Sequence, residues 1–181
     1  MLTEEIITEM NKKFKSSRKA EKRVLIAQDV IAMVKAGKRE PKMGYYVKIR
    51  NRENFEPNES VQKINDEIEC HCCALGACLL STIKFINSVE LWELSYLEAN
   101  SKNMWGLLKP IFTSKQMLLI EYAFEIRKHG ERVGEKTFKK YLTEKEVELS
   151  IKFGERYESE NDRLIAIMEN IINNKGTFMV K

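Results

Sequence analysis

Apolar residues recur at three- and four-residue spacing along most of this chain, and that spacing predicts helices. Ile6, Ile7, Met10 and Phe14 define a first helix over 4–14, ended by a polar break at Ser16 and Ser17. A second helix is expected from about Lys19 to Ala36, with Leu25, Ile26, Val30, Met33 and Val34 as its apolar stripe. Gly37 supplies a stop and Pro41 blocks resumption. The period then changes. Gly44-Tyr-Tyr-Val-Lys-Ile49 is aromatic and β-branched and reads as a short strand. Residues 51–60 hold Asn, Glu, Pro and Ser and read as a mobile loop. The stretch Ile68 to Ile86 is the most apolar of all and is expected as the central helix. Its middle, Ala74-Leu-Gly-Ala77, is small, so another backbone should cross closely there. Gly76 costs about 1 kcal/mol in helix propensity, which that packing must offset.

The second half repeats the helical pattern. Ser88 to Leu97 and Ser101 to Leu108 read as short helical pieces around Asn100, and Pro110 ends the second. Thr113-Ser-Lys-Gln116 and Thr143-Glu-Lys-Glu146 match a capping box, in which the fourth side chain reaches back to the first amide. The helix opened at Thr113 carries Met117, Leu118, Ile120, Ala123, Phe124 and Ile126. It should end near Gly130, behind Arg127, Lys128 and His129, where cations suit the negative end of the helix dipole. The helix opened at Thr143 should reach about Tyr157. Ser159 or Asn161 can cap a last helix containing Leu164, Ile165, Ile167, Met168, Ile171 and Ile172. Gly176 to Val180 could close as a strand against Tyr45 to Ile49. The expected fold is mainly α: a single compact helical domain over 1–181 with a minor two-stranded β-ribbon. Its core should centre on Ala74 to Phe85 with Ile120, Phe124, Ile165 and Met168.

Composition fits that picture. The 181 residues are 43% hydrophobic and 32% charged, values of a globular chain that can bury a core without a metal or disulfide. Eight glycines and three prolines are few for an all-β sandwich. The longest apolar or small run, Cys72 to Leu80, is less than half of what a membrane span of about twenty residues needs. The start is acidic and no secretory signal follows it. Net charge is +4, but it is unevenly laid out. Lys and Arg exceed Asp and Glu by 13 to 6 over residues 1–50, trail 3 to 9 over 51–101, and lead 15 to 12 over 102–181. A charge-split chain can engage two different surfaces, and local bias on a solvated surface accounts for the same numbers.

Two clusters carry candidate chemistry. Cys70, Cys72, Cys73 and Cys78 lie within nine residues. A disulfide framework spreads its cysteines to close loops, so these read as free thiols in a reducing cytoplasm. Cys70 and Cys73 form one C-x2-C step, half of a zinc site on one helix face. No second step exists, and His129 is the only distant candidate ligand, so no metal or cofactor is expected. Buried small hydrophobes are the plainer reading. A reactive thiol would need a base. His71 would point about 100° from its neighbours on a helix. Only a helix start at Cys70 would lower a thiol pKa there.

The second cluster is basic. Lys12, Lys13, Lys15, Arg18, Lys19, Lys22 and Arg23 include one acid, Glu21, among them. A helix would place Lys15, Arg18 or Lys19, and Lys22 in one stripe able to neutralise phosphates, with Tyr45 and Tyr46 as stacking aromatics. A solvated lysine-rich face is the alternative. The phosphate-cradling, dinucleotide, zinc-protease and nucleophile-elbow motifs are all absent. Glu121 and Glu125 are the best acid pair, expected as surface carboxylates beside Lys128. The balance is against an enzyme, and no catalytic residue is assigned.

Three pieces carry a resemblance: Arg23-Val-Leu-Ile-Ala-Gln-Asp-Val30 with Gly37 and Gly44-Tyr45, Cys73-Ala-Leu-Gly-Ala77, and Arg163-Leu-Ile-Ala-Ile-Met-Glu-Asn-Ile-Ile172 with Gly176-Thr-Phe178. Together they resemble a family of small uncharacterised bacterial and phage proteins, in which a helix leads to a Gly-aromatic strand and a Cys-x-x-Gly-Ala-Leu helix. Cys78 departs from it, standing where the pattern has Leu. The resemblance implies a stand-alone domain, often from a mobile element, and transfers no site residue. The functional expectation is a non-enzymatic cytoplasmic protein that binds a host or cellular protein and occludes its site. A nucleic-acid-binding accessory protein using Lys12 to Arg23 is the alternative. A thiol enzyme or small-molecule binder at Cys70 to Cys73 and Tyr45 is the third.

Overall fold

The structure, a computed structural model, describes residues 3–86, 89–94, 101–126 and 140–181. Eight helices named here and three short strands build it: α1 (Glu4–Ser16), α2 (Lys19–Lys35), β1 (Arg39–Pro41), β2 (Val47–Ile49), α3 (Val61–Ile64), β3 (Cys70–Cys72), α4 (Ala74–Ile86), α5 (Ser101–Leu108), α6 (Ser114–Glu125), α7 (Glu144–Glu155) and α8 (Glu160–Asn173). The fold is mainly helical, as the periodicity predicts. α4 is the axis. Every residue from Ala74 to Lys84 is buried, and α1, α2, α3, α5 and α6 pack around it. α8 joins α2 to α6, and α7 lies against α6. Ile120, Phe124 and Met168 sit in the core, with Ile165 half-buried beside it.

Three elements differ from expectation. The central helix begins at Ala74, and Cys70–Cys72 before it is a strand. Cys70 and Cys72 point into the core while His71 points out, the two-residue alternation of a strand. In sequence this segment runs straight into the helical one, and a short apolar run has no period of its own to separate them. Second, the β component is a three-stranded mixed sheet ordered β1-β3-β2, not a two-stranded ribbon. β3 runs parallel to β1 and antiparallel to β2, and His71 is in register with both Glu40 and Lys48. Third, residues 176–180 form no strand. Side chains hold this tail instead: the Gln116 amide donates to the Phe178 carbonyl (3.0 Å) and accepts from the Phe178 amide (2.6 Å). Gln116 therefore does not reach back to Thr113, although the Thr113 hydroxyl still caps the helix by accepting from the Gln116 amide. The box at Thr143 and Glu146 forms completely.

The close crossing at Gly76 is present, and the crossing backbone is the bend just before β2. A Cβ at Gly76 would overlap the Tyr46 carbonyl. The 51–60 segment, expected to be mobile, is tied to the body at several points. The Asn51 side chain spans Glu67 and Glu69, Arg52 donates to the Leu91 carbonyl, and the backbone of Leu91 and Trp92 bonds Glu59 and Pro57. α6 ends at Glu125, with Ile126 in the left-handed region, earlier than Gly130. Arg127, Lys128, His129 and Gly130 lie outside the described residues. Among those described, no helix is long and apolar enough to cross a membrane.

Candidate functional site

The segment 42–46, which leads from β1 to β2, lies over one end of the core and is held there by carboxylates. The Tyr46 hydroxyl donates to Glu121 Oε1 at 3.3 Å. The Gly44 amide donates to Glu125 Oε1 at 3.1 Å, and the Met43 amide to Glu160 Oε1 at 2.8 Å. Glu121 and Glu125 stand four apart on α6, so both face this segment. Gly44 makes the turn at φ 82°, a backbone shape that favours glycine. Glu121 is not the surface carboxylate that its sequence position suggests. Its Oε2 is screened from solvent and has no hydrogen-bond partner. Burial first, and the charge of Glu125 second, push its carboxyl up to about 7, while the Tyr46 hydrogen bond pulls the other way. Burial also drives the Tyr46 phenol upward, helped by Glu121. The arrangement can hold or release a proton near neutral pH.

Cys73 adjoins this site, and burial works against ionising it, Cys72 and Cys78. All four cysteines are free and buried. Cys73 caps α4, its sulfur accepting from the Gly76 amide at 3.5 Å. Burial pushes its thiol well up, the Gly76 bond opposes this, and Glu121 and Glu125 add to it. Cys72 is raised by its hydrogen bond with Cys70 and by burial, and Cys78 is pushed up to about 12 by burial. Cys70 lies on a strand, so no helix start activates it. Cys70 lies on β3 and Cys73 at the start of α4, so the two do not share a helix face. His71 is on the outer face of the sheet, where Nε2 meets Glu40 at 3.2 Å and Tyr45 stands edge-on at 6.2 Å. Among the described residues no three His, Cys, Asp or Glu gather as a metal site, and His129 lies outside them.

A buried ionic network was invisible in the sequence because its members are scattered from 29 to 84. Arg39, 2% exposed, donates to the Ala77 carbonyl, Ser81 Oγ, Asp29 Oδ2 and Asn65 Oδ1. Lys84 Nζ lies 2.6 Å from both Asp29 Oδ1 and Asp66 Oδ1. Burial alone would raise Asp29, but Arg39 and Lys84 outweigh it and hold its carboxyl below the usual range. Every cation here has an anion within reach, which is how charges persist in a core. The network ties α2, β1, the turn after α3, and α4 together.

The basic segment is split by the bend between α1 and α2, so it forms an elbow rather than one helical stripe. Its members divide sharply. Arg23 is structural: its guanidinium donates to the Gly176 carbonyl, and to the Ile111 carbonyl at 2.7 Å. Lys22 lies over the Phe14 ring at 5.4 Å, and Phe14 stacks on Phe85 of α4. Arg18 pairs with Glu21 at 2.7 Å. Lys12, Lys13, Lys15 and Lys19 are exposed and have no ion-pair partner among the described residues. Tyr45 and Tyr46 are not with them. Tyr46 rests on Gly76 at the start of α4, whereas Phe14 contacts Phe85 near its end, about 14 Å away at 1.5 Å per residue. Tyr45 is 40% exposed and takes Lys48 over its ring. Tyr46 is turned inward to Glu121.

Fold and sites together define a small, mainly helical protein with a basic elbow at one end of its central helix and a buried acid at the other. No protein-family model, curated protein or solved structure matches the chain.

Proposed function

We propose that this is a non-enzymatic binding protein that uses the α1–α2 elbow to dock on an acidic protein surface and cover it. One observation carries the reading: Lys12, Lys13, Lys15 and Lys19 flank the bend between α1 and α2, exposed and without counter-ions among the described residues. Helix stability explains only part of this. Lys13 and Lys15 suit the negative end of α1. Lys19 stands at the positive end of α2, where a cation is disfavoured. An unpaired cation cluster steers an acidic partner and sets its register. Trp92, 46% exposed, is of a residue type enriched in protein interfaces.

Nucleic acid is the less supported partner, because the tyrosines that would stack bases lie at the other end of α4. Four free, buried thiols accord with a reducing compartment such as the cytoplasm.

A photo-crosslinking amino acid placed at Lys13, with a control at Lys152 on α7, tests this in cells. The expected result is a discrete protein adduct from position 13 alone, insensitive to nuclease and lost with K12E/K15E/K19E. Nuclease-sensitive adducts, or equal labelling from both positions, would overturn it.

A further inference from the structure

We propose that the 42–46 segment is a proton-controlled latch, closed while Glu121 is protonated and released when Glu121 ionises. Three side chains from two helices hold the segment, through the Tyr46 hydroxyl and the Gly44 and Met43 amides. The bonds to Glu125 and Glu160 run from an amide to a carboxylate and are strongest when those acids are charged. Glu121 differs. One oxygen meets only the Tyr46 hydroxyl, and the other is shut from water without a partner. A neutral carboxyl tolerates that setting, and a carboxylate is penalised for it.

Apart from the Tyr46 hydrogen bond, which favours the charged form but is outweighed by burial, the groups around Glu121 offer no compensation. Its own helix brings Glu125, a like charge. The latch brings Tyr46, and the cap of α4 brings the neutral Cys73 thiol. α7 meets α6 through Gly154, which a Cβ would press into the Ala123 carbonyl. α8 brings Glu160, engaged with Met43, and Arg163. The Arg163 guanidinium is committed to the carbonyls of Phe124, Gly154 and Tyr157 and to the Met43 sulfur. With the carboxyl raised to about 7, the proton is lost across the neutral range. Moving the segment is then the simplest way to hydrate the charge. Release would lift the Tyr46 carbonyl from Gly76 and uncover Cys73 and Glu121 beside Tyr45.

The test is a solution NMR titration of the full chain from about pH 5.5 to about pH 8.5. It follows the Glu121 carboxyl carbon and the exchange protection of the Met43 and Gly44 amides, corrected for base catalysis. The expected result is a Glu121 midpoint near neutrality. As pH rises toward that midpoint, protection at both amides should fall by up to roughly tenfold per pH unit, and above it level off. E121Q, a neutral isostere, should stay protected throughout. Three results would each overturn the latch: Glu121 titrating in the ordinary carboxylate range, constant protection through its titration, or E121Q opening as the wild type does. The wild-type titration decides the matter even if E121Q does not fold.

Discussion

Arg39 uses two guanidinium nitrogens to satisfy four acceptors from three separate parts of the chain. Lysine has one nitrogen and cannot reproduce that fork. R39M should therefore cost about 3–5 kcal/mol, because Asp29 keeps only part of its compensation in the core, and R39K should recover a fraction of it. Urea denaturation measures both. Gly76 is the second residue on which much depends. G76A should destabilise by about 3 kcal/mol or more, since its methyl group overlaps a backbone carbonyl rather than a movable side chain. Gly76 was legible in sequence as a point of close approach, because a glycine within an apolar helix needs a reason. Arg39 was not. A buried cation is read from its partners, and Asp29, Asn65 and Ser81 are remote in sequence. Glu121 reads in sequence as a surface carboxylate for a related reason: the residue that covers it, Tyr46, comes from a turn 75 positions earlier.

At the scale of elements, most helices could be read from spacing and caps. Thr3, Thr113, Thr143 and Ser159 all accept from the third amide of their helices, the local chemistry that short motifs encode. Elements whose identity is set from outside do not show in local spacing. Cys70–Cys72 becomes a strand because β1 and β2 flank it, a condition no local pattern reveals. Gln116 has the residue type for a capping box, yet its amide is taken by the tail. Q116A should loosen residues 176–181, with a loss of about 1–3 kcal/mol for two hydrogen bonds to one peptide. Hydrogen exchange at the Phe178 amide reads this directly, and the Thr113 cap should remain.

For the whole molecule, two carboxyls bound the pH range of stability from opposite sides. Asp29 is held below its unfolded value, so its contribution is present above the ordinary carboxylate range and disappears as pH falls through it. Glu121 is raised from 4.5 to about 7, so the folded state holds a proton that the unfolded chain has lost. Stability from this source is complete below about pH 4.5 and declines until about pH 7, then levels off. E121Q should abolish that decline and, above pH 7, exceed the wild type by at most an amount on the order of 3 kcal/mol. Thermal denaturation across the pH range checks it. The same molecule separates its two charged features along α4. The elbow was legible as a basic cluster, but only the structure divides its members. Arg23, Lys22 and Arg18 are engaged in the fold, and Lys12, Lys13, Lys15 and Lys19 stay exposed without ion-pair partners among the described residues. The most direct measurement is the salt dependence of affinity for the protein crosslinked at the elbow, in the wild type and in K12E/K15E/K19E. Affinity should fall steeply with salt in the wild type, and the triple variant should bind weakly and respond little to salt. A salt-independent affinity that the triple variant retains would contradict docking through the elbow.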